Sequence, residues 1–326
     1  MKFDQFTLEE KTNYIYTLFI WTASNCSPNR DGGTGEIRVD PQSRVFTTQE
    51  CFNQNVKNGI FYSHQSGLLH DSDGVQLMGC KNEFFGPRTL KGALQNLLTR
   101  IAFITGKKEK EVTAADMFDH CFDIPFFGLV NSNGLNHDAF PASITGSAGL
   151  IYLPKTVTQV KIDNRGISNA FSQPKSSGSE EPKGMPGSHF TDYLEEGVFI
   201  CLGLFNVKQL RFIASQKLGL KDREAVSTRM EQLYRLYLTG IWEGYKLLGY
   251  ASTMRKGQQP FALYVNQAEQ LPDKYISDPA SLLADEKGVL PMHVSFSQTM
   301  SRLEERLTPW KNRFGREWEE MAKMDL

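Results

Sequence analysis

The residues able to do chemistry are sparse in this chain, and their spacing excludes most reactions. Six histidines (His64, His70, His120, His137, His189, His293) form no H-x-x-x-H pair and no other metal-ligand spacing. Asp71-Ser72-Asp73-Gly74 opens like a calcium loop but lacks the later ligands, and it reads as an ordinary turn. Gly146-Ser147-Ala148-Gly149 lacks the lysine of a phosphate loop, and no G-x-S-x-G elbow occurs. Five cysteines (Cys26, Cys51, Cys80, Cys121, Cys201) lie far apart without a C-x-x-C, which predicts buried free thiols and neither a zinc ribbon nor a disulfide framework. The expectation is a chain with no catalytic residues, no metal and no cofactor. What remains are cations and amides, groups that hold a phosphate without reacting with it. Arg30 lies in the polar, Gly-rich stretch SNCSPNRDGGTG, Gln49, Asn53 and Lys57 recur every four residues, and Arg255 and Lys256 follow a long helical pattern.

The charge balance sharpens this. The formal net charge is -1, so no general attraction to polyanions is expected. Between Leu204 and Pro260, however, ten basic residues (Lys208, Arg211, Lys217, Lys221, Arg223, Arg229, Arg235, Lys246, Arg255, Lys256) face four acids (Asp222, Glu224, Glu231, Glu243), a local excess of +6. A basic face can hide in a neutral average.

The elements that must position these groups follow from pattern. With 326 residues, 40% hydrophobic and 22% charged, and a mean hydropathy of -0.38, the chain has the composition of one elaborated soluble domain or two. Its longest apolar runs, such as Val198 to Phe205, are far below the roughly 18 to 20 residues that cross a bilayer. The start, MKFDQFTLEEK, resembles neither a secretory signal nor a transit peptide, so a cytoplasmic location without membrane contact is expected. Tyr14 to Trp21 predicts a strand, and Thr47 or Thr48 caps a helix with Phe52, Val56 and Ile60 on one face and Gln49, Asn53 and Lys57 on the other. A second helix follows Pro87 through Leu90, Leu94, Leu97, Leu98 and Ile101. Leu150 to Ile162 and Gly197 to Val207 read as strands. Between them Ser172 to Ser188 holds eleven Ser, Pro or Gly in seventeen residues, a protruding loop or hairpin. Asp222 to Leu248 is a long helix, Phe261 to Val265 a strand, and Trp310, Phe314, Trp318 and Met321 predict a last helix capped at Thr308 and Pro309. The order strand, helix, strand, strand, helix, strand is that of a ferredoxin-like unit, an α+β fold.

From Cys26 to Gly59, the loop Ser27-Pro28-Asn29-Arg30-Asp31-Gly32, the segment Ile37-Arg38-Val39-Asp40 and the capped helix FTTQECFNQNVKNGI follow one another. In this order the sequence resembles the crRNA-binding backbone subunit of type I CRISPR Cascade complexes, a member of the RAMP superfamily. Cys121-Phe122-Asp123-Ile124 with Phe127-Gly128 is similar to a later Phe-Asp-Val-Arg-x-Phe-Gly segment of that family. Ile144-Thr145-Gly146-Ser147-Ala148 resembles its Thr-Gly-Pro-Val stretch, and Gly166-Ile167-Ser168 sits where it often has Ile-Thr-Arg. The resemblance runs from about Tyr14 to Val265. Ser27 and Arg30 replace Asn and Gly of the family's loop, and Asn53, Gln54 and Asn55 stand where several relatives have Lys or Arg.

The resemblance implies a ferredoxin-like (RRM-like) palm with a helical insertion and a flexible thumb hairpin. It divides the chain into palm 1–61, a helical finger or web 62–145, a palm strand 146–162, the thumb 163–192, palm 193–267 and a C-terminal helical extension 268–326. It implies a non-enzymatic subunit that lines up head to tail along crRNA, grips its sugar-phosphate backbone and presents the guide to target DNA beside other Cascade subunits, in antiviral defence or other RNA-guided targeting. Arg30, Gln49, Asn53, Lys57, Arg165, Arg255 and Lys256 are the candidate RNA contacts, and Phe171 and Met185 the candidate apolar wedge of the thumb. Lys57 reads equally as a solvated surface residue, Arg255 and Lys256 as a helix C-terminal charge complement, Phe171 as packing beneath the loop, and Arg38 with Asp40 as an intramolecular ion pair. The rival is a metal-dependent ribonuclease of the type III kind, cutting target RNA through Asp31 or Asp40, although neither has a second ligand at metal spacing.

Overall fold

The structure is a computed structural model that describes residues 3, 6–28, 37–41, 44–77, 90–128, 149–151, 155–156, 162–168, 188–251, 257–270, 305 and 319–323. Strand β1, Tyr14–Cys26, is apolar on both faces because both are buried: Ile15, Phe19, Trp21 and Ala23 point to one core, Leu18 and Ile20 to another. A strand buried on both sides reads as a continuous apolar run, which is what YIYTLFIW is. It lies at the centre of the sheet, antiparallel to β5 (Ser188–Asn206) on one side and β6 (Gln258–Ala268) on the other. The short β2 (Gly149–Ile151) pairs with the outer side of β5, giving the order β2-β5-β1-β6.

Helix α1 (Gln49–Gln65) follows β1, and helix α6 (Arg223–Ala251) joins β5 to β6, so two split β-α-β units share one antiparallel sheet. The fold is α+β and has the ferredoxin-like strand order expected from the sequence. Phe52, Val56 and Ile60 of α1 are buried against the sheet, and Phe19, Trp21, Phe52 and Tyr245 form one aromatic layer, with Trp21 stacked on Phe199 at 3.9 Å. Each such buried side chain is worth about 1.5–3 kcal/mol in transfer from water. The two helices approach closely where Gly59 meets Gly240 and Gly244; a Cβ at Gly59 would overlap the Gly240 carbonyl and the Gly244 amide.

The expected single strand from Leu150 to Ile162 is instead broken into β2, β3 (Lys155–Thr156) and β4 (Ile162–Ser168), all on the same edge of the long β5. Each break shifts the register by one residue, as Ile151↔Gly203, Lys155↔Ile200 and Ile162↔Leu194 record.

The helical insertion contains α2 (Leu90–Thr105), α3 (Ala114–His120) and α4 (Asp123–Phe127). Thr113 caps α3 by accepting from the Asp116 amide at 3.2 Å, and the Asp71–Asp73 motif is a single 3₁₀ turn. After β5, α5 (Val207–Phe212) is capped by Asn206, which accepts from the Gln209 amide at 2.9 Å.

Two expectations need correction. Met321 does not continue a helical stripe: Glu319–Lys323 is strand β7, which pairs with β6 and buries Met321 and Ala322, while 306–318, with the rest of that stripe, lie outside the described residues. Nor is the basic excess wholly a surface. Arg211 donates to the Thr12 and Glu10 carbonyls, Arg235 to the Phe6 carbonyl and the Glu231 carboxylate, and Arg229 is only 3% exposed.

Candidate functional site

Of the candidate residues, Gln49, Asn53, Lys57 and the backbone of Arg165 are described, and the residues that flank the segments holding Arg30, Arg255 and Lys256 lie at one end of the sheet. Strand β1 ends at Cys26, paired with Leu194, whereas β5 continues beyond it to Ser188 in a two-stranded arm with β4, in which Ser168 pairs with Ser188. Arg165 lies on this arm, opposite Thr191. Phe171 and Met185 fall at 169–187, outside the described residues.

The residues that flank the segment bearing Arg30 lie at this end. Residues 29–36 lie outside the described residues, but both of their anchors are defined. Cys51 Sγ in the first turn of α1 donates to the Pro28 carbonyl at 3.6 Å, and the Ile37 amide donates to Asp192 Oδ2 at 3.2 Å. The two flanks of that segment are therefore tied to the start of α1 and to the root of the arm. Arg255 and Lys256 also lie outside the described residues; the chain re-enters at Gly257, whose carbonyl accepts from the Ser24 amide at 3.0 Å, again at the end of β1.

Helix α1 starts at this end because Thr48 caps it, accepting from the Cys51 amide at 3.2 Å. Gln49, Asn53 and Lys57 are half-buried along one stripe spanning about 12 Å of helix. Of the amide run only Asn53 belongs to this stripe, since Asn55 is buried beside Gly244 and Gln54 donates to Asn58 at 3.0 Å. The Asn53 Oδ1 atom is buried without a hydrogen-bond partner among the described residues. Lys57 Nζ sits 4.8 Å from the centroid of the Phe127 ring, a contact made by the last residue of α4.

No protein-family model matches the chain, and no curated protein matches it. Among solved structures it is similar to a chain of a "CRISPR RNA-guided surveillance complex, pre-nicking", with a TM-score of 0.50 and 12% identity over 94% of this chain and 89% of that one. A chain of a "CRISPR RNA-guided surveillance complex" overlays with a TM-score of 0.47 and 11% identity over 94% of this chain and 87% of that one. The likeness is one of fold.

Asp40 Oδ2 accepts from Arg44 Nε and Oδ1 from the Arg44 amide, each at 2.9 Å, so the carboxylate of the small Val39–Val45 turn is committed to a cation four residues on. The turn geometry brings Arg44 to this carboxylate, a partner that the sequence reading did not name. Asp31 lies outside the described residues. Burial pushes the thiols of Cys121 and Cys201 well above their ordinary values, which keeps them protonated and inert. Among the described residues no group of three or more His, Cys, Asp or Glu could hold a metal ion, and no helix is long and apolar enough to cross a membrane.

The Arg229 clamp was not foreseen. Its Nε donates to the Phe118 carbonyl and its Nη2 to the Cys121 carbonyl, each at 2.8 Å, and burial pulls its guanidinium down to about 10. It thus closes the C-terminus of α3, where unpaired carbonyls and the helix dipole favour a cation. Gly74, at φ 71°, leaves room for the guanidinium, with which a Cβ would collide.

Proposed function

We propose that this chain is a backbone subunit of a CRISPR RNA-guided complex: it lies along crRNA, holds the sugar-phosphate strand without reading bases, and presents the guide for pairing with target DNA. One observation carries the reading. The residues flanking the Arg30 segment, the N-terminus of the amide-and-lysine stripe of α1, the β4–β5 arm and Gly257, next in sequence after Lys256, all lie at one end of a ferredoxin-like sheet, in a fold similar to that of a chain of an RNA-guided surveillance complex. Cations and amides at intervals suit a strand of fixed charge and variable sequence. Copies would follow one another head to tail, a contact that propagates and does not close. The subunit is read as non-enzymatic, since the Asp40 carboxylate is engaged by Arg44.

The test is co-purification with guide RNA, followed by native mass spectrometry. A ladder of complexes whose protein count rises with guide length is expected, and Gln49→Ala with Asn53→Ala and Lys57→Met should weaken assembly on guides of every sequence alike. A stable monomer that carries no short RNA would overturn the reading. Periodic cutting of complementary RNA in Mg²⁺, abolished by Asp31→Ala, would replace it with the ribonuclease alternative.

A further inference from the structure

We propose that Phe127 is a positioning residue for Lys57, holding its ammonium group on the α1 stripe in the orientation that meets a phosphate. The inference rests on the RNA-binding reading of that stripe.

Lysine is a poor fixed contact, because its four-carbon stem carries about 2 kcal/mol of rotamer entropy that binding must remove. A carboxylate partner would order the stem but neutralise the charge. An aromatic face does the first without the second: the ring attracts the cation through its quadrupole, yet carries no net charge and leaves the N–H donors free on the side away from it. Lys57 Nζ lies 4.8 Å from the Phe127 centroid, and no ion pair of Lys57 is found among the described residues. The ammonium is therefore ordered and still able to attract an anion.

The ring is itself held. Phe127 packs on Phe126 at 5.8 Å, and Phe126 is buried against Phe122, Phe205 and Tyr237, which ties α4 to β5 and α6. The Arg229 clamp fixes the preceding turn through the Cys121 carbonyl, and the Phe122 amide donates to the Gln76 carbonyl at 3.1 Å. Position thus passes from α6 and β5 through α4 to a cation on α1. By this route the helical insertion, remote in sequence from the stripe, contributes to strand binding. Pre-ordering a flexible donor lowers the cost of binding, so the ring acts through Lys57 and not by touching RNA.

The experiment is a double-mutant cycle on guide-RNA affinity, measured with oligonucleotides long enough for one copy of the full chain. Phe127→Leu keeps the apolar bulk and removes the quadrupole; Phe127→Tyr keeps both. Phe127→Leu and Lys57→Met should each weaken binding about 2- to 5-fold, the range of an exposed cation–π contact. The double variant should bind no more weakly than Lys57→Met, and Phe127→Tyr should bind as wild type. In the free protein, the upfield ring-current shift of the Lys57 ε-methylene protons should vanish in Phe127→Leu, while thermal midpoints report that the variant is folded. Additive losses, or unchanged affinity in Phe127→Leu with a loss in Lys57→Met, would overturn the positioning role and leave the RNA-binding reading intact. Unchanged affinity in Lys57→Met would overturn the role of the stripe as well, and wild-type protein that binds no RNA would overturn both.

Discussion

Replacing Arg229 by Met should loosen the helical insertion while leaving the sheet folded. The guanidinium donates to two buried backbone carbonyls, Phe118 and Cys121, each at 2.8 Å. Hydrogen bonds from a charged donor contribute about 1.5–3 kcal/mol each, a gross of roughly 3–6 kcal/mol. Against this stands the cost of keeping the charge in the interior, visible in the lowering of its pKa to about 10 by burial despite the attraction of Asp119. Methionine fills the stem volume and recovers that cost, but leaves the carbonyls at the end of α3 unpaired. The net loss expected is about 3 kcal/mol, the lower part of the range for removing one partner from a buried charged arrangement. It should appear locally, because the clamp ties α3 to α6 and touches no strand of the sheet. Hydrogen exchange with peptide resolution is the assay: amides in 113–128 should exchange roughly 100-fold faster, by the conversion of 1.36 kcal/mol per decade, while those of β1 keep their protection. Arg229→Lys, whose single ammonium cannot reproduce the planar fork, should fall between. Equal loss of protection in β1 and α3, or less than a threefold change in 113–128, would refute the account of Arg229 as a local clamp.

Two further predictions concern packing and pH. Gly244→Ala sets helix propensity against sterics: alanine favours a helix interior by about 1 kcal/mol, but its Cβ would overlap the Asn55 carbonyl of α1. Sterics should win, with a loss of about 1–3 kcal/mol and a lower urea midpoint at unchanged slope; a higher midpoint would refute the close helix contact. His120 is lowered from its ordinary value by burial, with Arg229 adding to the lowering and Asp119 opposing it. The unfolded chain therefore takes up the proton first, so stability should fall as pH drops through about 6.5 towards the lower folded value, and His120→Gln should flatten that part of the pH–stability profile. An unaltered profile in the variant would refute it.

The regular elements were legible in the sequence for a physical reason: α1 and α6 each bury a face whose spacing a local window contains, and β1, buried on both faces, is a continuous apolar run. The edge opposite β5 was not legible, because the register shifts that divide it into β2, β3 and β4 are set by a partner strand outside any local window, 56 residues away at Gly149↔Phe205 and 32 at Ile162↔Leu194. Strand β7 was misread for the opposite reason, since Met321 shares a helical spacing with Trp310, Phe314 and Trp318 but is buried on the edge of β6. The stripe of Gln49, Asn53 and Lys57 was legible in its four-residue spacing, but at 3.6 residues per turn it flanks the buried face of Phe52, Val56 and Ile60 and does not oppose it, which is why all three residues are half-buried. Phe127 beneath Lys57 was not legible, because seventy residues separate them and nothing local couples them. Arg229 left a signal that was missed: it lies three residues after Val226 and four before Leu233, in phase with the apolar stripe of α6, where a surface charge does not belong.

The inward arginines change how a chain of net charge -1 can hold a polyanion. Arg211, Arg229 and Arg235 are spent on carbonyls within the fold, so the +6 excess of that segment overstates what is offered outward. On α1, two amides stand beside one lysine, and amides bind phosphate without releasing counterions. Each copy should then contribute a weak and only shallowly salt-dependent grip. Tight binding must come from registering several copies on one strand, since linked contacts add effective concentration without any new interaction. Under the proposed function, affinity for guide RNA should rise steeply with guide length at fixed ionic strength, in steps of one subunit's span. Log affinity should fall with log salt by about 0.7 per bound copy if Lys57 is the stripe's only cation on the strand, plus a like amount for each loop cation that joins it. A long guide bound no more tightly than a short one would mean that the copies do not act together, and that the end-of-sheet cluster does not line a shared groove.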